Sequence, residues 1–354
     1  MGGVLGEMWR AVMHNAHDTS EPPSRLSTPS APENLPQGRR AGPAPSRYNR
    51  RTPRTSNDMS INWFPGHMNK AIREIRDTLP KVDLIIEIVD ARLPYSSANP
   101  VIEQFRANKP CLKLLSKSDL ADPAITEQWL AHLQQDPHVR AMAITTQRPE
   151  QIKSLVNLCR QLPGVKPDAL GNVTALITGI PNVGKSTLIN TLAGKPIAKA
   201  GNEPAVTQAQ QRIDLRNGFI LIDSPGILWP KIENANSGYR LALSGAIKDT
   251  AISHDDVAVF AAEYFMQAYP DLIRERFKLD ELPADGTTFL EITGRQRGCL
   301  GSGGHVDFHR IASILLNEFR SATLGLITLE TPAMAEAEKI ETARLMAEKA
   351  AEKE

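Results

Sequence analysis

Residues 179–186 read GIPNVGKS and constrain the fold more than any other segment of this 354-residue chain. They fit the pattern G-x-x-x-x-G-K-[ST], a loop whose backbone N–H groups wrap a phosphate chain at the start of a helix. An apolar run at 173–178 precedes the loop and a helical pattern at 185–193 follows it. The segment therefore predicts a strand, a phosphate-binding loop and a helix. The candidate phosphate contacts are Asn182, Val183, Gly184, Lys185, Ser186 and Thr187.

Apolar runs alternate with helical patterns on both sides of that loop. Predicted strands cover residues 82–90, 110–115, 141–145, 173–178 and 219–222, and predicted helices cover 69–79, 123–134, 150–162 and 185–193. Strands that are apolar almost throughout are typical of a parallel sheet covered on both faces. Beyond about residue 238 only helical patterns follow, at 239–248, 255–269, 272–277 and 306–319. The sequence therefore predicts the α/β class, with a smaller, mainly α-helical domain after the sheet.

Composition excludes several classes of protein. Hydrophobic residues make up 41% and charged residues 23%, which are ordinary globular values and exclude disorder of the whole chain. The most hydrophobic run, 82–89, is interrupted by Asp83 and Glu87, so no segment predicts a membrane helix. The three cysteines lie far apart, which argues against a disulfide framework or a structural zinc site and suits a reducing compartment. The formal charge of +1 predicts no general affinity for nucleic acid, so any RNA contact must come from a local patch.

Residues 1–58 differ from the rest of the chain. They contain eight prolines and eight arginines, no lysine, and no apolar periodicity. Such a segment buries too little surface to offset its ordering entropy, so we expect a disordered extension. One alternative is a mitochondrial transit peptide, and another is sequence upstream of a true start at Met59.

A later apolar run ends in Asp223, and Gly226 follows three residues on within the sequence DSPG. Downstream of a P-loop lysine, such an aspartate can hold Mg²⁺ through water, while the Gly226 amide can contact a γ-phosphate. Thr207 lies in a polar stretch between the two motifs and suits a mobile loop whose hydroxyl completes the Mg²⁺ shell. The predicted magnesium ligands are therefore Ser186, Thr207 and Asp223, with Lys185 reaching the β- and γ-phosphates.

The guanine-reading sequence N-K-x-D has a near match upstream of the P-loop. Residues 115–119 read LSKSD and end the predicted strand 110–115. The Asp119 carboxylate can accept both N–H groups of the guanine edge, and the aliphatic stem of Lys117 can lie along the base. After the next predicted helix a strand ends near Thr145, where a backbone amide can meet guanine O6. The candidate base contacts are Ser116, Lys117, Asp119 and Thr145.

The order of these motifs is a circular permutation of the Ras-like arrangement, because the base-reading motif comes before the P-loop. The chain resembles the circularly permuted GTPases of the YlqF/RbgA type, the ribosome biogenesis GTPase A family with its mitochondrial counterparts. The resemblance runs from about Asn62 to Thr331. It includes WFPGHM at 63–68, DAR at 90–92, the P-loop, DSPGILWP at 223–230, and GCL followed by a glycine pair at 298–304.

The resemblance implies a circularly permuted P-loop GTPase domain at 59–235 and a helical RNA- and ribosome-binding domain at 236–330. The last 20 or so residues are rich in alanine, glutamate and lysine, so we expect 331–354 to form a charged, solvated helical tail. It implies that GTP hydrolysis is coupled to late maturation of the large ribosomal subunit, through rRNA and ribosomal proteins of the precursor particle. We expect a monomer with no DNA partner and no stable membrane association. We expect it in the cytoplasm, or in the mitochondrial matrix if residues 1–58 are a transit peptide.

The catalytic group departs from the Ras-like pattern. Ile227 follows the DSPG segment where Ras-like enzymes carry the glutamine that orients the attacking water. Isoleucine forms no side-chain hydrogen bond, so another group must orient that water or turnover is slow. The resemblance points to His67 as the catalytic residue, and an imidazole can hydrogen-bond water at neutral pH. The alternative is that residues 63–66 anchor the N-terminus to the sheet and His67 is incidental.

Two further residues bear on the ligands. An asparagine at the position of Asn182 accompanies the use of potassium in related GTPases, so the resemblance implies that Asn182 helps to hold K⁺ beside the phosphates. The alternative is an ordinary turn-forming asparagine. Ser116 stands where the family usually has asparagine. We expect the shorter side chain to lose contacts to guanine N7 and the loop, which weakens guanine affinity and leaves base choice unchanged.

Other functions remain open at the level of sequence. The chain could be a nucleotide-gated RNA-binding scaffold with negligible hydrolysis, or a GTPase acting on soluble protein partners. A P-loop ATPase is disfavoured by Asp119. The helical domain carries no catalytic constellation, and its candidate phosphate contacts are Arg295, Arg297, His305, His309, Arg310 and Arg320.

Overall fold

The computed structural model describes residues 66–198, 210–229, 232–248 and 253–351, with side chains described from residue 70 onward. All of these residues belong to one compact unit, Met59–Glu354. The predicted extension 1–58 lies outside the described residues, as does Thr207. The mixed α/β class and the helical C-terminal region predicted from the sequence are confirmed.

A six-stranded sheet forms the centre of the molecule, in the order β3-β2-β1-β4-β6-β5. Its strands are β1 (Leu84–Asp90), β2 (Cys111–Ser116), β3 (Val139–Ala143), β4 (Val173–Gly179), β5 (Gln211–Asp214) and β6 (Phe219–Asp223). All neighbours pair in parallel except β5 and β6, which are antiparallel. Strand β5 was not predicted, because among its residues only Ile213 is buried and an edge strand of this kind carries no apolar run.

Helices cover both the sheet and the C-terminal half of the chain. Those among the strands are α1 (Gly66–Thr78), α2 (Pro94–Ser97), α3 (Pro100–Arg106), α4 (Pro123–Leu133), α5 (Pro149–Arg160) and α6 (Lys185–Ala193). Those after the sheet are α7 (Ala235–Ser244), α8 (His254–Ala268), α9 (Pro270–Phe277), α10 (Gly286–Gln296), α11 (Phe308–Arg320) and α12 (Pro332–Ala351). Helix α10 was not predicted, because its threonines and glycines have low helix propensity; packing against α8 and α11 stabilises it instead.

The inner strands explain why their sequences are nearly continuous apolar runs. Every residue of β1 and β2 is buried. Two charges interrupt these runs, and they neutralise each other: Lys113 Nζ lies 3.1 Å from Glu87 Oε2, at paired positions of the two strands. Glu87 also accepts a hydrogen bond from the Asn99 amide at 3.1 Å. A buried charge is tolerated only with such partners.

The connections place a crevice between β1 and β4. From β1 the chain moves outward through β2 to β3, then returns to β4 beside β1, and from β4 it moves to the opposite edge. Ligands of open α/β sheets bind at the carboxyl ends of the strands where the connections diverge in this way. The P-loop follows β4 and the DAR segment follows β1, so both lie at this crevice.

Helix α12 packs back against the sheet domain over its first turns. Ala335 belongs to a buried apolar cluster with Val89, Leu115 and Trp129, and the Trp129 Nε1 donates to the carbonyl of Glu330 at 2.8 Å. From residue 343 to 351 every described side chain is exposed. The solvated helix expected for 331–354 therefore describes only the second part of α12, because its first turns cover the apolar face of α4.

Candidate nucleotide-binding site

The P-loop backbone has the conformation that a phosphate-binding turn requires. Gly184 lies at φ +100° and Asn182 at φ +59°, and α6 begins at Lys185. At Gly179 a Cβ atom would lie 2.7 Å from the Ile88 carbonyl oxygen, so only glycine lets β4 end this close to β1. The loop amides therefore converge at the amino end of α6, where the helix dipole favours a phosphate.

Lys185 and Asp223 meet at the bottom of the crevice. Lys185 Nζ lies 2.5 Å from Asp223 Oδ1, and both side chains are buried. Burial raises the pKa of Asp223 above its ordinary value, and the Lys185 ammonium opposes that effect. In this arrangement the lysine that the sequence assigns to the phosphates is paired with the aspartate assigned to magnesium.

The other Asp223 oxygen fits a metal or its water shell. Oδ2 is buried and has no hydrogen-bond partner among the described residues, which is costly for a carboxylate oxygen unless a ligand completes it. Ser186 is half-buried in the first turn of α6. Within the described ranges no three His, Cys, Asp or Glu side chains converge to hold a metal. One carboxylate with hydroxyl, water and phosphate oxygens is the ligand set that suits Mg²⁺.

The DSPG segment passes under the P-loop. A Cβ atom at Gly226 would lie 3.2 Å from the Pro181 backbone, so glycine permits this close approach. Ile227 is fully buried in the core, and Leu228 beside it is also buried. Ile227 therefore presents no polar group to a γ-phosphate, and its side chain packs in the core.

Ser116 joins the base-reading loop to the P-loop. Its Oγ lies 2.7 Å from the Val183 carbonyl oxygen and 3.0 Å from the Val89 carbonyl oxygen, and the hydroxyl donates to one of them at a time. The Ser116 side chain, although shorter than asparagine, therefore still reaches the P-loop backbone. Its effect on guanine N7 stays a prediction.

The remaining base-loop residues come together at the end of β2. Asp119 is half-exposed and accepts a hydrogen bond from Gln147 Nε2 at 2.9 Å. Thr145 is buried, and its Oγ1 accepts a hydrogen bond from the backbone N–H of Gln147 at 3.1 Å. Ser118 donates to the Ile144 carbonyl at 3.0 Å, which ties the two loops together. Gln147 was not predicted; only its position two residues after Thr145 hinted at a role.

Lys117 is held by an acidic residue that the sequence analysis did not assign to the site. It lies at φ +56°, and its ammonium lies 2.9 Å from Asp90 Oδ2. Arg92 donates to the same carboxylate from Nε at 2.9 Å and from a terminal nitrogen at 2.8 Å. Burial acts to raise the pKa of Asp90, but these two cations outweigh it and hold the pKa below the ordinary value. The signal in the sequence was the DAR motif at the end of a strand.

Asn182 contacts the helical region. Its Nδ2 donates to the Gly245 carbonyl at 2.9 Å, at the carboxyl end of α7. Arg320 donates to the Leu243 and Ala242 carbonyls of the same helix end, at 2.9 and 3.0 Å. Arg320 therefore caps α7, and the sequence-based expectation that it meets phosphates gains no support from this position.

Two predicted residues cannot be placed. His67 is the second residue of α1, but its side chain lies outside the described part of the structure. Thr207 lies in the segment 199–209, between α6 and β5, which is also outside it. Among the described residues, none of the helices combines the length and the apolar character needed to cross a membrane.

Comparison with known proteins agrees with this geometry. Residues 174–278 match the family described as 50S ribosome-binding GTPase. A protein of Priestia megaterium named Ribosome biogenesis GTPase A is 44% identical over 286 residues, covering 78% of this chain and 99% of the relative. Mitochondrial ribosome-associated GTPase 1 of Xenopus tropicalis is 30% identical, over 76% of this chain and 94% of the relative.

A solved structure shows the same architecture. The GNP-bound YlqF of T. maritima matches with a TM-score of 0.54 and 26% identity, covering 74% of this chain and 98% of the other. These relatives are covered almost from end to end. The chain belongs to the ribosome biogenesis GTPase A family of GTPases.

Proposed function

We propose that this protein is a GTP-hydrolysing assembly factor for late maturation of the large ribosomal subunit. The observation that carries the proposal is the hydrogen bond between Ser116 and the Val183 carbonyl, 2.7 Å long, which joins a base-reading loop to a phosphate-binding loop. A site in which the base-reading loop and the phosphate-binding loop lie together at the carboxyl ends of the strands fits a purine nucleoside triphosphate. The ribosomal role is taken from the printed names of the relatives, and the partner is a precursor particle with its rRNA and ribosomal proteins.

Different residues of the site bind different parts of the nucleotide. The amides of residues 182–187 and the Lys185 ammonium bind the phosphates, while the Asp119 carboxylate accepts from guanine and the Thr145 region meets O6. Ser186, Thr207 and, through water, Asp223 would hold Mg²⁺, which would supply positive charge to the phosphate oxygens. Lys185 is already beside Asp223, so a small movement of its ammonium exchanges the carboxylate for phosphate oxygens.

Hydrolysis requires a group that orients water, and Ile227 does not supply it. We assign that role to His67 on α1, and we propose that the particle stimulates hydrolysis through this residue. Positioning of water by an imidazole contributes about 10²–10⁴-fold. The Asn182 amide, held by its nitrogen on Gly245, is proposed to ligate K⁺ through its oxygen beside the phosphates.

Exposed basic side chains of the helical region support contact with RNA. Arg295, His305, His309 and Arg310 are all exposed around the turn between α10 and α11. Arg297 and Arg276 both pair with Glu318, at 2.5 and 2.6 Å, so they hold the region together. Arg295 forms an exposed pair with Glu291 at 3.0 Å. Exposed basic side chains of this kind suit phosphate contacts that position the protein on a particle. We propose a cytoplasmic monomer, or a mitochondrial one if residues 1–58 direct import.

A second function is favoured by one observation. Because Ile227 is fully buried, nothing at that position can orient water, and the protein could act as a nucleotide-gated scaffold on RNA with negligible hydrolysis. The two proposals differ in turnover on the particle, not in binding.

The test is GTP turnover of the full chain with and without precursors of the large subunit, in potassium and in sodium. We expect slow intrinsic turnover, strong stimulation by the particle, and more stimulation in potassium. His67→Ala should remove most of the stimulation and keep the affinity for a GTP analogue. His138→Ala, an exposed histidine at the amino end of β3, is the control and should change neither. Binding to the particle without any turnover would favour the scaffold, and no binding to the particle would contradict the ribosomal role.

A further inference from the structure

The Asp90 carboxylate lies at the crevice with both oxygens engaged. Oδ1 accepts from the Arg92 amide at 3.1 Å and from its Nε at 2.9 Å, and Oδ2 accepts from the Arg92 guanidinium at 2.8 Å and from Lys117 Nζ at 2.9 Å. Asp90 and Arg92 are each 1% exposed, whereas the Lys117 side chain is about a quarter exposed. The carboxylate therefore joins a fixed, buried cation to a cation that reaches the surface of the site.

This arrangement holds the flexible side chain of Lys117 in one conformation. A lysine stem has several rotatable bonds, and holding it in one rotamer costs conformational entropy. The backbone at Lys117 is left-handed, directly after β2 ends, which fixes where the stem starts. The hydrogen bond to Asp90 fixes where it finishes. A side chain held at both ends by other groups of the protein is preorganised, and preorganisation raises affinity by lowering the ordering cost of binding.

Arg92 is in turn held by the helical region. Its guanidinium lies 4.8 Å from the centre of the Phe319 ring at the end of α11, within the range of a cation–π contact. Its carbonyl accepts from the Leu329 amide at 2.6 Å, in the segment that leads to α12. The hold on Lys117 thus continues, through buried groups, into the part of the chain proposed to contact the particle.

We propose that Asp90 is a positioning residue for guanine binding. It acts by holding Lys117 in the conformation that contacts the base. The inference rests on the proposed function, because it takes Lys117 as a base contact. Arg92 and Phe319 keep Asp90 in place, so the docking of the helical region on the sheet domain supports base binding as well. Phosphate binding by the P-loop does not depend on this chain of contacts.

The test is a double-mutant cycle on GDP affinity in the full chain with Mg²⁺. Lys117→Ala and Asp90→Asn should each weaken GDP binding by about tenfold, because the first removes the stem that contacts the base and the second weakens the hydrogen bond that holds it. The double variant should bind GDP no more weakly than Lys117→Ala alone, because Asp90 then has nothing left to position. Glu87→Gln is the matched control: it removes a buried carboxylate from the same strand β1, paired with Lys113 of β2. It should lower the melting temperature and leave GDP affinity unchanged.

The outcomes separate the inference from the function on which it rests. If Lys117→Ala binds GDP normally, the base-site assignment fails and the inference fails with it. If Lys117→Ala weakens GDP but Asp90→Asn does not, or if the two losses multiply in the double variant, the inference alone is overturned. A loss of GDP affinity in Glu87→Gln as large as in Asp90→Asn overturns it too, since general destabilisation then explains both.

If Asp90→Asn does not fold, a second double-mutant cycle on GDP affinity, with Phe319→Leu in its place, tests the same proposal. Phe319→Leu keeps an apolar side chain under the Arg92 guanidinium but removes the ring face. It should weaken GDP by about threefold, in line with a modest cation–π contact. That loss should disappear in the Lys117→Ala background. A loss that persists there, or no loss at all, contradicts the proposal.

Discussion

The Arg240→Met variant tests the buried charge network that joins the helical region to the sheet domain. Arg240 is fully buried and donates to Glu330 at 3.2 Å and to Glu338 at 2.8 and 2.7 Å. Methionine fills similar volume without charge, so the variant leaves two carboxylates buried without their cation. Removing one partner of a buried ion pair typically costs about 3–5 kcal/mol.

The contacts that remain place the expected loss at the lower end of that range. Four hydrogen bonds still reach the two carboxylates, from the Ser96 amide and hydroxyl and from the Asn234 and Asn236 side chains. These donors lessen the cost of an uncompensated charge. We therefore expect the free energy of unfolding to fall by about 3 kcal/mol at pH 7.5.

The stability lost in the Arg240→Met variant should be smaller at lower pH. In the wild type, burial raises the pKa of Glu330; burial acts the same way on Glu338, but Arg240 and the asparagine donors outweigh it and hold its pKa below the ordinary value. Without Arg240 both folded-state pKa values rise above those of the unfolded chain. The folded variant then binds protons more tightly, so its stability increases as the pH falls through those raised values.

Urea denaturation followed by far-UV circular dichroism at pH 7.5 and pH 5 measures both effects. Arg344→Met is the control, because Arg344 forms exposed pairs with Glu341 and Glu348 on the free part of α12, and its removal should leave the unfolding transition unchanged. The reasoning is refuted if Arg240→Met costs less than about 1 kcal/mol at pH 7.5, or if its cost is as large at pH 5.

Three further predictions concern the nucleotide site, and one concerns acid stability. Lys185→Ala should abolish or nearly abolish nucleotide binding in a folded protein, measured by titration with a fluorescent GTP analogue; unchanged affinity would contradict the P-loop assignment. Asp119→Asn should shift preference from guanine to xanthine nucleotides in competition binding, and a variant that still rejects xanthosine triphosphate at wild-type GTP affinity argues against the base assignment. Gly179→Ala should cost about 2 kcal/mol in urea denaturation, because the new Cβ meets the Ile88 carbonyl at 2.7 Å. The pKa of Asp90 is lower in the folded protein than its ordinary value of 3.8, so the ionised carboxylate stabilises the fold above pH 3.8, and this contribution is lost as the pH falls below that value. The Asp90→Asn variant should therefore lose less stability than the wild type on acidification, as followed by circular dichroism.

Local patterns predicted the elements that depend on neighbouring residues. The P-loop, its strand and its helix were predicted because a phosphate-binding turn demands glycine and lysine at fixed spacing, and parallel strands demand unbroken apolar runs. The same reasoning missed β5, an edge strand with little to bury, and α10, whose intrinsic propensity is poor and whose stability comes from packing.

The candidate site residues were predicted from motifs, but their partners were not. Lys117 and Asp119 were predicted, while the Asp90 carboxylate that holds Lys117 lies 27 residues away and on another strand. Nothing in the chain between them records that β1 and β2 pair in register or that Asp90 and Ser116 end side by side. Such contacts depend on how the whole sheet assembles.

The longest-range contacts were decided by the tertiary structure alone. The sequence of α12 is rich in alanine, glutamate and lysine and predicts a solvated helix. Its first turns are buried because Trp129 and the Arg240 network, both remote in sequence, offer an apolar surface and a cation at the right distance. A glutamate such as Glu338 reads as exposed in any local window, and it becomes a core residue only where a buried guanidinium satisfies its charge.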